Sequence, residues 1–376
     1  MKSLFSFIFQ ISALSLFSQE NFLLIGTYTS GKSEGIYVYK FNSQNAESKF
    51  ISTAKTSNPS FLAVSPSQKF VYAVNENADS TRYTVTGYIS AYSFNKSTGQ
   101  LSFINKQESG GKHPCYVAVD KTGKWVFAGN YSSGSVALLP VKSNGGLDSA
   151  KQVIQHEGSS VVEGRQDEAH VHATFLNASN KTLYVPDLGM DKLMIYKFDS
   201  KKGKLVAGDL PYVITEPGTG PRHFDIHPSG KYGYLMQELT GTVSVFNIYP
   251  DGSMESIQDI SGLPREYDGA VGSADIHVST DGKFVYCSNR GESNSIGILK
   301  VNQQTGMLVW VGDQSTLGKT PRNFNFDPTG NYLLVANQNS DEIVVFKRNK
   351  ETGMLTDTGK RINVPNPVCI KWITTK

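Results

Sequence analysis

The chain is poor in charged residues, since Lys, Arg, Asp and Glu make up 18% of it, against about 25% in an average globular domain. The formal net charge is only +3, so neither a nucleic acid nor an anionic membrane surface is predicted as a partner. From residue 20 onward no long uninterrupted apolar run occurs, which argues against a membrane-spanning helix. The composition is therefore typical of a globular protein that binds neither nucleic acid nor membrane.

Cysteine is scarce as well. The chain has three, Cys115, Cys287 and Cys369, and each lies in a predicted strand. An odd number of cysteines without close spacing argues against a disulfide framework. We therefore predict that all three are buried free thiols.

The first residues differ from the rest of the chain. A positive charge at Lys2 precedes an almost wholly apolar run over residues 4–17, and a polar segment begins at Ser18. This order predicts a secretory signal peptide over residues 1–18, followed by a single mature domain over residues 20–376. The protein is then expected to be periplasmic or secreted. A buried first strand is the alternative interpretation of the same run.

What the chain has in abundance is a repeat of short strands. Seven apolar runs recur in one context, most of them after a turn rich in Pro, Ser, Gly and Lys, and each is followed by a second apolar run. The runs are 48 to 57 residues apart and end at Leu24, Tyr72, Phe127, Tyr184, Tyr234, Tyr286 and Leu334. A period of about 50 residues made of short strands is typical of a β-propeller with one blade per repeat. We predict an all-β fold with seven blades.

Each end of the chain holds an incomplete blade. Residues 22–41 contain two predicted strands with no inner strand before them, and residues 367–372 form a lone strand with no partner after it. Together they complete one blade, which leaves no open sheet edge to invite aggregation. We therefore predict that the N- and C-terminal strands close the propeller.

The repeat also provides a coordinate system for the site. In a propeller blade the innermost strand starts, and the second strand ends, at the same mouth of the central channel. The position twelve residues before the end of each run, or its equivalent in the last strand, holds Ser60, Cys115, His172, Arg222, Ala274, Arg322 and Val368. The position four residues after the end of each run holds Tyr28, Glu76, Tyr131, Leu188, Glu238, Arg290 and Gln338.

Ionisable residues concentrate at these two positions on neighbouring blades. Burying them unpaired would be costly, so we expect them to meet at the channel mouth. A carboxylate can activate water, and arginines can hold an anionic group and stabilise an oxyanion. For hydrolysis of an anionic ester, the predicted catalytic residues are His172, Glu238, Arg222 and Arg290. Substrate contacts are predicted for His170, His223, Arg322, Asn323, Gln338 and Glu76.

Two other interpretations of these residues stay open. Arg222, Glu238 and Arg290 can form an ion-pair network that only plugs the channel. His170 and His172 could begin a zinc site, but no clear third ligand accompanies them, so no metal is predicted.

Two segments are longer than the other loops. Asn77 to Gly87 lengthens the first complete blade, and Gln155 to Glu168 leads into the inner strand that we expect at residues 170–172. Long loops in a compact fold tend to be functional, so both segments are candidates for part of the site.

Five short segments stand in a distinctive order. They are Val161–Gly164 leading to His170–His172, Gly220–Phe224, Gln237–Leu239, Ser288–Gly291 and Thr320–Phe324. In these segments the chain resembles the seven-bladed propeller lactonases, a family that includes bacterial propeller-type 6-phosphogluconolactonases and fungal carboxymuconate lactonizing enzymes. The resemblance extends from Ile25 to Trp372. It implies a site at the channel mouth that uses neither a metal nor another cofactor.

The resemblance implies a lactonase for a sugar-derived lactone, with the family's catalytic set on the four residues predicted above. Glu238 would be the base for water, Arg222 and Arg290 would bind the substrate anion and the oxyanion, and His172 would protonate the leaving alkoxide. The expected partner is thus a small anionic lactone or sugar acid. The expected assembly is a monomer or weak dimer.

Export departs from the cytosolic role of the bacterial phosphogluconolactonases. An unphosphorylated sugar lactone, or another lactone that bears a carboxylate, is therefore an alternative substrate. Two further alternatives are a carboxymuconate-type lactonizing or isomerising enzyme with the same residues, and a propeller that binds a carbohydrate or a protein without catalysis.

Overall fold

The computed structural model describes residues 20–80 and 84–375, so the predicted signal peptide over residues 1–18 lies outside the described residues. Within those ranges the chain folds into seven four-stranded antiparallel sheets. The other regular elements described there are two 3-10 turns, Leu188–Met190 and Gln338–Ser340. The prediction of an all-β, seven-bladed propeller is confirmed.

Blades and strands are numbered in chain order. Blade 1 contains β1 (Glu20–Thr27), β2 (Gly35–Asn42), β3 (Ser48–Lys55) and, as its innermost strand, β28 (Pro367–Ile373). Blade 2 contains β4 (Leu62–Val64), β5 (Phe70–Ser80), β6 (Val85–Asn95) and β7 (Gln100–Glu108). Blade 3 contains β8 (Pro114–Val119), β9 (Trp125–Asn130), β10 (Ser135–Pro140) and β11 (Gln152–Gln155).

The other four blades have the same order from the channel outward. Blade 4 contains β12 (Phe175–Leu176), β13 (Thr182–Asp187), β14 (Lys192–Asp199) and β15 (Lys204–Ile214). Blade 5 contains β16 (Pro221–Ile226), β17 (Tyr232–Gln237), β18 (Thr242–Ile248) and β19 (Met254–Ser261). Blade 6 contains β20 (Ser273–Val278), β21 (Phe284–Asn289), β22 (Ser295–Val301) and β23 (Leu308–Ser315). Blade 7 contains β24 (Pro321–Phe326), β25 (Tyr332–Asn337), β26 (Glu342–Arg348) and β27 (Leu355–Asn363).

The two chain ends close the ring in blade 1, as predicted. β28 pairs antiparallel with β1 in a register that runs from Phe22 opposite Ile373 to Thr27 opposite Pro367. The other edge of β1 pairs with β2. The C-terminal strand is therefore the inner strand of a blade whose other three strands come from the N-terminal part of the chain.

A repeated bond between a buried tyrosine and a hairpin glycine joins adjacent blades. The four tyrosines that end apolar runs of the repeat are fully buried, and they are Tyr72, Tyr184, Tyr234 and Tyr286. Each hydroxyl donates to a carbonyl in the outer hairpin of the next blade, at 2.6–3.1 Å. The acceptors all have positive φ and are Gly145, Gly252, Gly306 and Gly353. Glycine adopts this conformation without strain, and the bond satisfies a hydroxyl that burial would otherwise leave unpaired.

The cysteines are where the sequence places them. Cys115, Cys287 and Cys369 lie in β8, β21 and β28, and all three are buried and free. No helix in the described part of the chain has the length and apolar character to cross a membrane.

Candidate active site

A backbone hydrogen bond recurs in every blade and joins the two positions that the repeat singles out. The N–H of the residue at the second-strand position donates to the carbonyl two residues before the inner-strand position, at 2.7–3.2 Å. Glu238, for example, donates to Gly220, and Arg290 donates to Gly272. The seven donors are Tyr28, Glu76, Tyr131, Leu188, Glu238, Arg290 and Gln338. This bond brings both positions to one mouth of the channel.

The inner-strand position coincides with a β-bulge in five of the described blades. The pairing register with the second strand shifts at Cys115, Arg222, Ala274, Arg322 and Val368. A bulge leaves a residue unpaired in the ladder and re-aims its side chain. Of the seven residues at this position, all but Ala274 line a single cavity on the channel axis.

The inner strand of blade 4 differs from our prediction. We expected it at residues 170–172, but β12 begins only at Phe175, and Val171 forms no more than an isolated bridge. The physical reason is Pro186 in β13, which has no N–H and cannot donate to the ladder. Its carbonyl still accepts from the N–H of His172 at 3.0 Å, so His172 keeps its place at the mouth.

Glu238 is the centre of the site. Its Oε2 accepts from Arg222 Nε at 2.8 Å and lies 3.2 Å from Arg290 Nη2. Its Oε1 accepts from Arg165 Nη2 at 2.6 Å. The Nε2 of His172 is 3.8 Å from Oε2. The structure thus brings the four residues predicted as catalytic together around one carboxylate, and it adds Arg165.

Three guanidinium groups determine the charge of Glu238. Burial alone would raise its pKa, but Arg290, Arg222 and Arg165 outweigh burial and lower the pKa to about 2. The carboxylate is therefore ionised at neutral pH. The same low pKa makes it a weak base while all three arginines are in contact with it, because an effective base has a pKa near the working pH.

Two of these arginines are also held by backbone carbonyls. The Arg222 side chain is only 2% exposed, and its Nη1 donates to Ala274 O at 2.5 Å. In Arg290, Nε donates to Gly272 O at 2.7 Å and Nη2 to Ser273 O at 3.2 Å. Burial lowers the pKa of Arg290 to about 10, which still leaves it a cation at neutral pH. Both guanidinium groups are therefore fixed in place.

His172 is buried and uncharged. Burial, and then the positive charge of Arg222, holds its pKa well below the usual 6.5. Its Nδ1 lies 3.9 Å from the Sγ of Cys115. A neutral imidazole next to Glu238 can accept a proton and pass it on.

Arg322 is a cation at the mouth without a fixed anionic partner. Its guanidinium donates no hydrogen bond to the residues that the structure describes, and it lies over the Tyr28 ring at 5.3 Å. The Tyr28 hydroxyl donates to Glu76 Oε2 at 2.8 Å, and the Ser60 hydroxyl contacts the same oxygen. Burial alone would lower the pKa of Arg322, but Tyr28, Glu76 and Glu238 raise it. Arg322 therefore has N–H groups available for a ligand.

The cavity on the axis is small. About 10 Å³ is open to the centre of a water-sized sphere, which is roughly the room that one water needs. A sugar-sized molecule does not fit there, so it has to bind above the cavity. The guanidinium groups of Arg165 and Arg290 are not part of the cavity lining and are more exposed than that of Arg222.

A second polar cluster surrounds Asp275 deeper in the channel. Its Oδ1 accepts from His223 Nδ1 at 2.7 Å, and its Oδ2 lies 3.1 Å from His277 Nε2. Asn323 Nδ2 donates to the same Oδ2, while Asn323 Oδ1 accepts from Ile370 N at 2.7 Å. These bonds give Asn323 a structural role between blades, whereas His223 still lines the cavity. Substrate contact by either residue stays a prediction.

The charge of His277 makes the stability depend on pH. Burial alone would lower its pKa, but Asp275 and Asp225 raise it to about 9. Because this pKa lies above the value of about 6.5 in an unfolded chain, His277 stabilises the fold fully below pH 6.5 and loses this effect as the pH rises through 9. We expect His277→Gln to melt below wild type at pH 6 and to approach it by pH 10. A difference that stays constant across this range would contradict the assignment.

Two other predicted contact residues lie at the rim. His170 stacks on Tyr131 with ring centroids 4.4 Å apart, and its Nδ1 is 3.0 Å from Tyr131 O. Gln338 begins the second 3-10 turn and is partly exposed. Substrate contact by His170 and Gln338 stays a prediction.

Sequence analysis missed Arg165. The residue lies outside the repeat, on the long connection from Gln155 to Glu168, and has no counterpart in the other blades. The signal that could have found it is the length of this connection together with its single arginine.

Fold and site together define a class of protein. It is a seven-bladed propeller with an ionised carboxylate, several arginines and a neutral histidine at one mouth of its channel, which suits hydrolysis of an anionic ester. The family model described as "Lactonase, 7-bladed beta-propeller" matches residues 22–372, and the chain belongs to this family. The predicted family, and with it the predicted class of lactone-hydrolysing enzymes, is confirmed.

Individual relatives agree with the family assignment. A 6-phosphogluconolactonase of Bacillus subtilis is 39% identical over 353 residues, which cover 93% of this chain and 97% of the relative. A 6-phosphogluconolactonase of Formosa agariphila is 37% identical over 356 residues, which cover 94% of this chain and 99% of the relative. The solved structure of a periplasmic gluconolactonase of Pseudomonas aeruginosa matches with a TM-score of 0.89 at 36% identity, covering 95% of this chain and all of that one.

Proposed function

We propose that the protein hydrolyses a sugar-derived lactone at the mouth of its channel. The observation that carries the proposal is Glu238, held by three arginines and next to a neutral His172. Ring opening requires a base for water, donors for the oxyanion and a proton for the alkoxide. The site has a candidate for each role: Glu238 as the base, the arginines as donors to the oxyanion and His172 as the carrier of the proton. The chain also belongs to the lactonase family.

The proposed chemistry begins with Glu238. It accepts a proton from the attacking water, and the hydroxide oxygen forms a bond to the carbonyl carbon. Because the pKa of this carboxyl group is low, it gives the proton up readily. Neutral His172, 3.8 Å away, carries the proton to the ring oxygen as the C–O bond of the lactone breaks. The net change is addition of one water across the ester, and both side chains return to their starting states.

The arginines divide into two groups in this proposal. Arg222 is fully buried, with its N–H groups on Glu238 and a backbone carbonyl, so it orients the base. Arg290 and Arg322 are more accessible and stabilise the oxyanion that forms from the carbonyl oxygen. Arg322 is suited to this because its N–H groups have no protein acceptor among the described residues.

The proposal includes export to the periplasm or the medium. The apolar run before Ser18 supports it, and so does the similarity to a periplasmic gluconolactonase. The mass of the native protein tests it, since cleavage near Ser18 removes the first residues. Intact Met1 on protein recovered from the cytosol would contradict export.

Hydrolysis is tested with the purified mature protein and three sugar lactones. Glucono-1,5-lactone is neutral, its 6-phosphate is doubly acidic, and glucaro-1,4-lactone bears a carboxylate. Acid release in a pH-stat, corrected for the spontaneous reaction, should show acceleration for at least one of them. The alternative is that Arg222, Glu238 and Arg290 form an ion-pair network that only plugs the channel. This alternative is the better explanation if no lactone is accelerated and the only effect of Arg222→Lys is a lower melting temperature.

A further inference from the structure

Arg165 differs from the other two arginines that contact Glu238. Its side chain is 43% exposed, whereas those of Arg222 and Arg290 are 2% and 15% exposed. The other two donate to backbone carbonyls as well as to the carboxylate. Arg165 has Glu238 as its acceptor and the Tyr131 side chain as a neighbour. An exposed ion pair contributes only about 0–1 kcal/mol, so this is the contact with Glu238 that is easiest to exchange.

The backbone that carries Arg165 is fixed, although its side chain is partly exposed. Its N–H donates to Val162 O at 3.1 Å within a tight turn, and the next residue, Gln166, is fully buried with its Nε2 on Leu188 O at 2.8 Å. Ser160 donates to Asp191 Oδ2 at 2.6 Å. The guanidinium group is thus presented at the mouth by a rigid turn, which lowers the entropy cost of binding.

The connection is anchored on blade 4 by a buried histidine. His156 Nδ1 donates to Asp187 Oδ2 at 2.7 Å, and its Nε2 lies 2.8 Å from the Tyr196 hydroxyl. The other oxygen of Asp187 accepts the N–H of His170 at 2.8 Å. One carboxylate therefore positions both the connection with Arg165 and the chain that leads to the catalytic histidine.

The charges at the mouth favour an anion as the group that Arg165 binds. Four arginines (Arg165, Arg222, Arg290 and Arg322) face two glutamates, Glu238 and Glu76, which leaves an excess of two positive charges. A guanidinium group binds carboxylate and phosphate oxygens through two parallel hydrogen bonds. An anionic substituent on the substrate would offer Arg165 the same geometry as the carboxylate that it now contacts.

We propose that Arg165 is a specificity-determining residue that exchanges Glu238 for an anionic substituent, carboxylate or phosphate, on the substrate. The proposal rests on the lactonase function and names its substrate class. Exchange has a second consequence, because Arg165 is one of the three cations that lower the pKa of Glu238. When its charge is neutralised by the substrate, Glu238 becomes a stronger base. Recognition of the anion and activation of water are thereby coupled.

Arg165→Gln separates recognition from chemistry when it is assayed on the same three lactones. We expect kcat/KM to fall about 10- to 100-fold for the lactones with a phosphate or a carboxylate. A loss of this size is expected when one pair of charge-assisted hydrogen bonds is removed. For the neutral lactone kcat/KM should rise rather than fall, because the variant lacks one of the three cations that lower the pKa of Glu238. Arg165→Lys keeps the charge without the planar fork and should give an intermediate loss. Comparing the loss for the phosphorylated lactone with the loss for the carboxylate-bearing lactone shows which anion Arg165 prefers.

Arg361→Gln is the matched control. Arg361 lies on the outermost strand of blade 7, is 28% exposed and donates to Asp357 at 2.8 Å, so it has a similar ion pair far from the mouth. We expect no change in its kinetics. The melting temperatures of both variants should stay close to wild type, because the backbone bonds of the turn do not use the Arg165 side chain.

The outcomes distinguish this proposal from the lactonase function itself. Equal losses on neutral and acidic lactones, or no loss on any, would overturn the role of Arg165 while the lactonase stands. A wild type that opens only the neutral lactone would also overturn the role of Arg165 and leave the lactonase function standing. If the wild type opens none, titration calorimetry with gluconate, 6-phosphogluconate and glucarate still decides, since Arg165→Gln should weaken the binding of 6-phosphogluconate or of glucarate about 10-fold or more relative to gluconate. Losses for both of these acids that are no larger than the loss for gluconate would overturn the proposal.

Discussion

Glu238→Gln is expected to reduce lactone turnover by about 10²- to 10⁴-fold, the range for loss of a general base. The amide keeps the shape of the side chain and removes its charge. Arg165, Arg222 and Arg290 then lose their shared counter-ion. The reason for the large effect is that, in the proposed mechanism, the same carboxylate takes the proton from water and orients the guanidinium groups. Steady-state kinetics on the preferred lactone measure it.

The same variant should also be less stable, in a way that depends on pH. The pKa of Glu238 is about 2 in the folded protein, below the value of about 4.3 for an unfolded chain. Its charge therefore stabilises the fold by about 3 kcal/mol above pH 4.5, and this contribution is lost as the pH falls towards 2. Chemical denaturation at pH 7 should give a lower free energy of unfolding for the variant than for wild type. This difference should disappear as the pH falls towards 2.

Glu351→Gln is a suitable control for both measurements, since Glu351 is exposed and pairs with Lys283 at 3.1 Å on the outer surface. It should leave both kinetics and stability unchanged. Full turnover by Glu238→Gln would show that Glu238 is structural and that the proposed mechanism is wrong.

Deleting residues 367–376 should prevent the domain from folding to a stable state. The deletion removes β28, in which Val368, Cys369, Ile370 and Ile373 are buried. Burial of a large aliphatic side chain stabilises a fold by about 1.5–3 kcal/mol, and a whole domain is stable by only about 5–15 kcal/mol. The loss also exposes the inner edge of β1 to pairing with other chains. We expect little soluble protein, or a melting temperature lower by more than about 10 °C.

A chain that ends at Thr374 provides the control, because it keeps all of β28 and should melt like the full chain. A synthetic peptide of residues 364–376, added to the longer deletion during refolding, should restore a cooperative transition if β28 closes the ring. An unchanged melting curve for the deletion alone would show that the other blades hold the fold without this closure.

Much of the site could be located from the repeat alone. The two positions around Arg222 and Glu238 were found by counting residues, and the structure joins them by one hydrogen bond in every blade. Counting succeeds because each blade uses the same strand lengths around one axis, so equal positions in the sequence occupy equal heights along the channel. The β-bulge at Arg222 was not visible in the sequence, since it is a shift in pairing between two strands.

The departures from the simple repeat have physical causes as well. The inner strand expected at residues 170–172 is interrupted because Pro186 on the neighbouring strand lacks the N–H that the ladder needs. Asn323 is predicted to contact the substrate, which stays a prediction, but the structure also bonds its amide to Asp275 and to the Ile370 backbone. Both outcomes depend on the strand that lies alongside, which residue counting within one strand does not reveal.

The sequence by itself determined the number of blades, the closure of the ring by its two ends and the residues that share a mouth of the channel. Those properties follow from periodicity, which is a one-dimensional quantity. Only the tertiary structure decided how far the pKa of Glu238 is lowered and the participation of Arg165. Both depend on distances between residues 73 positions apart in the chain, and electrostatic effects are set by distance in space and by burial.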